Sequence, residues 1–211
     1  MLRLEGWLPA WDLERRHANL DRVIAWARTM LGEDALETIR VGSDDARALA
    51  RKLTQASLDP ELRRPLHAAL REIMPELPWE HVLVQTYAHF RILCPGDHRT
   101  PVPPHCDRGF GHALDERNVW IALTPATGSG ALHVMDLDAS LKRLVREGST
   151  DGVIDDPALA PIDVEVGDAL LFTPLHLHAA HAPEQHTRVS IDLRIVPAHG
   201  NQPGASFMAP L

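Results

Sequence analysis

Residues 164–197 read VEVGDALLFTPLHLHAAHAPEQHTRVSIDLRIVP. From His186 the chain alternates: His186, Arg188, Ser190, Asp192 and Arg194 share one face, and Thr187, Val189, Ile191, Leu193 and Ile195 the other. Period two marks a strand with one buried face. The polar face carries two arginines, a serine and an aspartate in succession, so it needs either bulk water or a polar pocket. His176, His178 and His181 just upstream point to the pocket.

A second alternating run begins near His81. Val82, Val84, Thr86, Ala88, Phe90 and Ile92 form its apolar face, and Gln85, Tyr87, His89 and Arg91 its polar one. RNVWIALT at 117–124 is a third strand, with Asn118 and Trp120 on one side. Further strands are predicted at 131–135, 162–166 and 169–172. Short strands broken by Gly and Pro turns predict a sandwich or closed barrel. Polar faces turned to a common interior would line a cavity.

The proline-rich stretch PGDHRTPVPP, 95–104, is no regular central strand and leads into His105-Cys106-Asp107. Residues i and i+2 of an extended segment point to one side, so His105 and Asp107 can grip a single divalent metal. A third ligand from His176, His178 or His181 would complete a two-histidine, one-carboxylate set. That set leaves three octahedral positions open, which suits non-haem Fe(II).

Upstream of the β core the pattern is helical. Leu13, Leu20, Ile24, Ala27 and Leu31 predict a helix from Trp11 to Leu31 stopped by Gly32. Ser43 would cap a second helix buried through Ala46, Leu49, Ala50 and Leu53. A third is predicted from Asp59 to Met74, with Pro60 in its first turn and Pro75 beyond its end. All three should pack outside the β core. Asp138 would cap a short helix over 139–146 stopped by Gly148, and the loop 148–161 could serve as a lid.

The 211 residues suit one domain, with a helical part at 1–80, a β core at 81–197 and a tail at 198–211. A net charge of −8 argues against nucleic acid. No run of about 18 apolar residues predicts a membrane span. The first residues, MLRLEGWLPAWDLERR, lack the features of a signal peptide, and Cys94 and Cys106 make no disulfide framework. A cytoplasmic protein is expected.

His105-x-Asp107, a later histidine, GDALLF, LHLHAA and TRVSIDLR together resemble the Fe(II)/2-oxoglutarate-dependent dioxygenases, in the phytanoyl-CoA hydroxylase-like and streptomycin-biosynthesis oxygenase-like branch. The resemblance covers roughly residues 81–197. It implies a mainly β double-stranded β-helix, a jelly roll with cupin-like architecture, and N-terminal helices packed outside. In that family the distal histidine lies about ten residues before an arginine, which selects His178 ahead of Arg188, with His176 second. Fe(II) would then sit on His105, Asp107 and His178. Arg188 would hold the far carboxylate of 2-oxoglutarate, with Ser190 donating to it and Gln85 and Asn118 assisting. Tyr87, His89 and Trp120 are candidates for substrate contact. Asp192 and Arg194 would pair or close the pocket floor.

The implied activity is oxidation of a small molecule by dioxygen, as hydroxylation or oxidative cyclisation, in antibiotic biosynthesis. The streptomycin likeness suggests an amino sugar or aminocyclitol, whose ammonium groups Asp136, Asp138, Asp155 and Asp156 could receive. Asp107 argues against halogenation, because halogenating relatives lose this carboxylate. Two other classes use the same residues differently: a cupin-like metal enzyme without 2-oxoglutarate, and a non-catalytic jelly-roll binding module.

Overall fold

Two antiparallel sheets face each other across the residues that the alternation turned inward. The structure, a computed structural model, describes residues 13–96, 102–147, 156–198 and 208–210. Its strands are β1 (Glu14–His17), β2 (Val82–Gln85), β3 (His89–Leu93), β4 (Val102–His105), β5 (Arg117–Ala122), β6 (Leu132–Val134), β7 (Ala160–Ile162), β8 (Asp168–Phe172), β9 (His178–Ala180), β10 (Arg188–Pro197) and β11 (Met208–Pro210). Its helices are α1 (Asp21–Leu31), α2 (Ser43–Ala56), α3 (Pro60–Ile73) and α4 (Leu137–Glu147).

The larger sheet runs β1-β8-β5-β10-β2-β11, with β3 also on β10, and the smaller runs β4-β9-β6-β7. This is the double-stranded β-helix that the resemblance implied, flanked by N-terminal helices. On β10, Val189, Ile191, Leu193 and Ile195 join one core cluster with Leu53, Leu62 and Leu70 of the helices. Val119 and Ile121 of β5 join the same cluster. Trp120 instead packs between the sheets with Leu132, Val134, Leu170 and Phe172. The helices therefore cover the outer face of the larger sheet. Each fully buried leucine there contributes about 1.5–3 kcal/mol.

Several boundaries differ from the sequence reading. The expected helix from Trp11 splits: Glu14–His17 is a strand antiparallel to β8, and the helix begins only at Asp21. Pairing overrides the helical spacing because Arg15 and His17 both reach the Asp168 carboxylate on β8. The long strand near His81 is two strands. Val84 lies opposite Ile195 and Phe90 opposite Ile191, so the bend at 86–88 absorbs a two-residue shift in register along β10. Gly42, not Ser43, is the N-cap of α2. Asp59 caps α3 through the Glu61 amide, as expected of an aspartate before Pro60. Asp136, not Asp138, caps α4 by accepting from the Ala139 amide. The strand expected over 162–166 is the shorter β7 followed by a single bridge from Val164 to Ala126. Gly148 and most of the candidate lid, 148–155, lie outside the described residues.

Gly167 sets the start of β8. Its φ of 91° is left-handed, and a Cβ there would come within 2.7 Å of the Ala18 carbonyl oxygen and the His17 ring. Gly167→Ala is expected to lower stability by about 1–3 kcal/mol for the backbone alone, with the clash adding to it. Urea unfolding followed by circular dichroism measures the loss.

Candidate metal centre and its cavity

Register across the smaller sheet places His105 of β4 directly opposite His178 of β9. Their rings lie 4.2 Å apart between centroids. Two residues on, Asp107 opens a short 3-10 helix, Asp107–Phe110, whose Arg108 amide is tied to the Pro174 carbonyl. Asp107 Oδ1 then stands 3.5 Å from His105 Nε2 and 4.0 Å from His178 Nε2. One ligand atom from each of the three residues lies within 4.8 Å of the others. Among the described residues this is the one such cluster of three or more.

The polar surroundings fix which atoms face the centre. His105 Nδ1 lies 2.8 Å from the Pro103 carbonyl oxygen, and His178 Nδ1 lies 3.0 Å from that of His176. A carbonyl only accepts, so each Nδ1 carries the proton and each Nε2 presents its lone pair. Asp107 Oδ2 accepts from Asn118 Nδ2 at 2.7 Å and from Arg194 Nη2 at 3.2 Å. Those two donors hold one oxygen back and leave Oδ1 toward the imidazoles. Burial alone would raise the Asp107 pKa, but the His105 hydrogen bond and the charges of His178, Arg194 and His105 hold it far below the ordinary carboxylate range. Burial, aided by His105 and opposed by Asp107, pushes His178 down to about 4. At neutral pH His178 is thus a neutral imidazole and Asp107 a carboxylate, the forms a divalent metal requires of them.

The cavity beyond these three groups is lined by Asn118, Trp120, Phe172, Arg188, Asp192 and Arg194, among others. Arg188 is 1% exposed. Its Nη1 donates to the Gly130 and Ala131 carbonyls, but Nε and Nη2 have no partner. The Trp120 indole lies under the guanidinium, 5.6 Å from ring centroid to Cζ, and its own Nε1 is also unmatched. Ser190 is fully buried with Oγ unmatched. Burial pushes Arg188 down to about 10, against the pull of Asp192, so it stays charged at neutral pH. A buried cation with open donors over an indole whose N–H is unmatched fits an anionic ligand, while Ser190, on the same strand face, does not itself line the cavity. The donor set thus suits both groups the resemblance implies: a divalent metal on the three ligand atoms, and a carboxylate at Arg188.

Other expectations fall elsewhere. Gln85 is buried on β2 opposite Met208, outside the cavity lining, with Oε1 unmatched. Tyr87 sits half-buried in the bend between β2 and β3. His89 lines a separate groove against α2. His176 is fully buried and its Nδ1 meets the Thr173 amide and hydroxyl, while the His181 ring packs on His133 at 4.4 Å. Asp192 and Arg194 do not pair with each other: Asp192 binds Arg91, and Arg194 binds Asp107. No sequence pattern signals that exchange, since both partners arrive from other strands. Asp136 caps α4 and Asp156 accepts from the Ala158 amide, so both carboxylates already have local work. Asp138 is exposed in the first turn of α4, and Asp155 lies outside the described residues.

A model of the phytanoyl-CoA dioxygenase (PhyH) family matches residues 1–185. No curated protein matches the sequence. Among solved structures, the non-heme alpha ketoglutarate dependent carbocyclase SnoK from nogalamycin biosynthesis is 15% identical, with 92% of this chain and 88% of that one covered at a TM-score of 0.58. CytC3 with Fe(II) and alpha-ketoglutarate is 17% identical, with 96% and 79% covered at 0.57. The nickel complex of the non-heme monooxygenase ThoJ is 15% identical, with 93% and 78% covered at 0.56. At these identities the likeness speaks for the fold.

Asn118→Ala leaves Asp107 Oδ2 held by Arg194 alone and is expected to weaken Fe(II) affinity about 10- to 100-fold. His181→Ala should change it by less than about threefold, because His181 lies outside the cluster. Anaerobic Fe(II) titration measures both.

Proposed function

The chain belongs to the phytanoyl-CoA dioxygenase (PhyH) family, and on that premise we propose that it is a non-haem Fe(II)/2-oxoglutarate-dependent oxygenase acting on a small molecule in antibiotic biosynthesis. The observation that carries the reading is the single cavity shared by the His105, Asp107 and His178 ligand atoms and the open donors of Arg188. Iron with 2-oxoglutarate supplies, when bound, the oxidising power that couples dioxygen consumption and release of succinate and carbon dioxide to oxidation of a substrate carbon.

The chain's own groups do the positioning. His105 and His178 offer Nε2 because backbone carbonyls occupy their Nδ1 protons. Asp107 offers Oδ1 because Asn118 and Arg194 retain Oδ2. Arg188 anchors the remote carboxylate of the cosubstrate through Nε and Nη2, with Ser190 Oγ as a further donor on the same strand face. Trp120 and Phe172 supply apolar walls that keep bulk water from the reacting groups. A hydrolase on the same ligands would have no use for a buried guanidinium with open donors, and a binding module would have none for the metal set. No helix among the described residues is long and apolar enough to cross a membrane. Two free buried cysteines fit the reducing cytoplasm as the place of action.

Anaerobic addition of Fe(II) and 2-oxoglutarate should give a visible charge-transfer band. The band should vanish in Asp107→Ala, and Arg188→Ala should raise the 2-oxoglutarate requirement about 30-fold or more. A folded wild-type protein with no band contradicts the reading.

A further inference from the structure

A groove of about 400 Å³ runs between α2 and β3. That volume lies within the roughly 300–1,000 Å³ usual for small-molecule sites. The groove neighbours the metal cavity: Arg91 and Val102 line both and form the wall between them. Its walls divide by chemistry. Ala46, Ala50, Phe90, Ile92 and Leu93 give an apolar floor, and Arg47, Arg51, Arg91 and His89 supply every charged or titratable lining group.

That balance runs against the chain as a whole, which has 29 acidic and 21 basic residues. Arg47 is partly offset by Asp44 and Arg91 by Asp192, but neither carboxylate lines the groove. Arg51 has no acidic partner among the described residues. It lies one turn beyond Arg47 on the same face of α2, so the two guanidiniums can converge on one anion. Burial, with the charge of Arg91 added, pushes the His89 pKa down, so His89 supplies a neutral polar edge. The helix wall is held to the strand: Thr54 Oγ1 accepts from the Phe90 amide at 2.9 Å, which fixes the groove's width.

We propose that this groove is the substrate site, and that the substrate is an amphipathic anion: an apolar carbon frame lying along Ala46, Ala50 and Phe90, with a carboxylate or phosphate held by Arg47 and Arg51. The inference rests on the oxygenase reading only in calling the occupant a substrate. A frame reaching past Arg91 and Val102, the wall that the two cavities share, would bring one of its carbons to the oxidising centre. A cationic amino sugar, suggested by the streptomycin likeness, would meet like charge along this wall; Asp136 and Asp156 are engaged by neighbouring backbone amides, and Asp138 does not line the groove.

The test is isothermal titration of the full chain with decanoate, decyl phosphate and decylamine, each below its micelle concentration. The anions should bind at least about tenfold more tightly than the amine. Arg51→Glu and Arg47→Glu should each remove about tenfold or more of the anion affinity, while Arg22→Glu on the exposed side of α1 leaves it unchanged. Decanoate against decyl phosphate separates the two head groups. Equal affinity for anions and amine overturns the proposal. So does anion binding untouched in an Arg51→Glu protein whose circular dichroism matches the parent. The iron–cosubstrate band, recorded on the same samples, keeps the two readings apart. A band without anion preference sinks the groove alone, and anion preference without a band sinks the oxygenase reading alone.

Discussion

The two oxygens of Asp107 face opposite demands, and the site depends on keeping them apart. Oδ2 is retained by Asn118 and Arg194, and Oδ1 faces His105 and His178. Those four neighbours come from four strands, two in each sheet, so the carboxylate is where the sheets are tied together. Asn118 and Arg194 stand opposite each other in the β5–β10 ladder, and His105 and His178 do so in the β4–β9 ladder. A slip of one residue in either ladder would turn a whole set of side chains to the other face. The apolar alternation on β5 and β10, packed against α1–α3, is what opposes such a slip.

The cavity is poor in self-satisfaction. Arg188 Nε and Nη2, Trp120 Nε1 and Asn118 Oδ1 are all buried without partners, as is Ser190 Oγ on the neighbouring stretch of β10. An unmatched buried polar group costs about 1–3 kcal/mol, and more when charged. A fold selected for stability alone would not keep several in one place. The cost is tolerable because the outer core is large and separate, running through three helices and the far face of the larger sheet. A bound anion would convert that local liability into binding energy.

Much of this was legible in the residues. Period two on 186–195 sorted helix-facing from cavity-facing side chains, on 82–92 it brought only Arg91 to the cavity, and the spacing of His105-x-Asp107 offered a ligand pair that needed the later histidine to carry weight. The distal histidine needed more: His176, His178 and His181 are indistinguishable by type, and only the β4–β9 register brings one of them to the cluster. Arg194 on Asp107 and Arg91 on Asp192 were not legible, because each joins residues about a hundred apart through tertiary placement. The strand at Glu14–His17 was hidden for a similar reason. Its helical spacing is local, whereas the partner that overrules it, Asp168, lies 153 residues beyond Arg15 in the chain.

The central claim is that one metal ion and one dicarboxylate occupy a single cavity, held by Asp107 Oδ1, the two Nε2 atoms and Arg188. Anaerobic crystallography of the Fe(II)–2-oxoglutarate complex, with anomalous differences recorded at the iron edge, tests it most directly. The account predicts one iron peak in bonding contact with those three atoms, and the far carboxylate of the bound acid on Arg188 Nε and Nη2. Iron bound through His176 or His181, or an acid whose carboxylate lies away from Arg188, would contradict it.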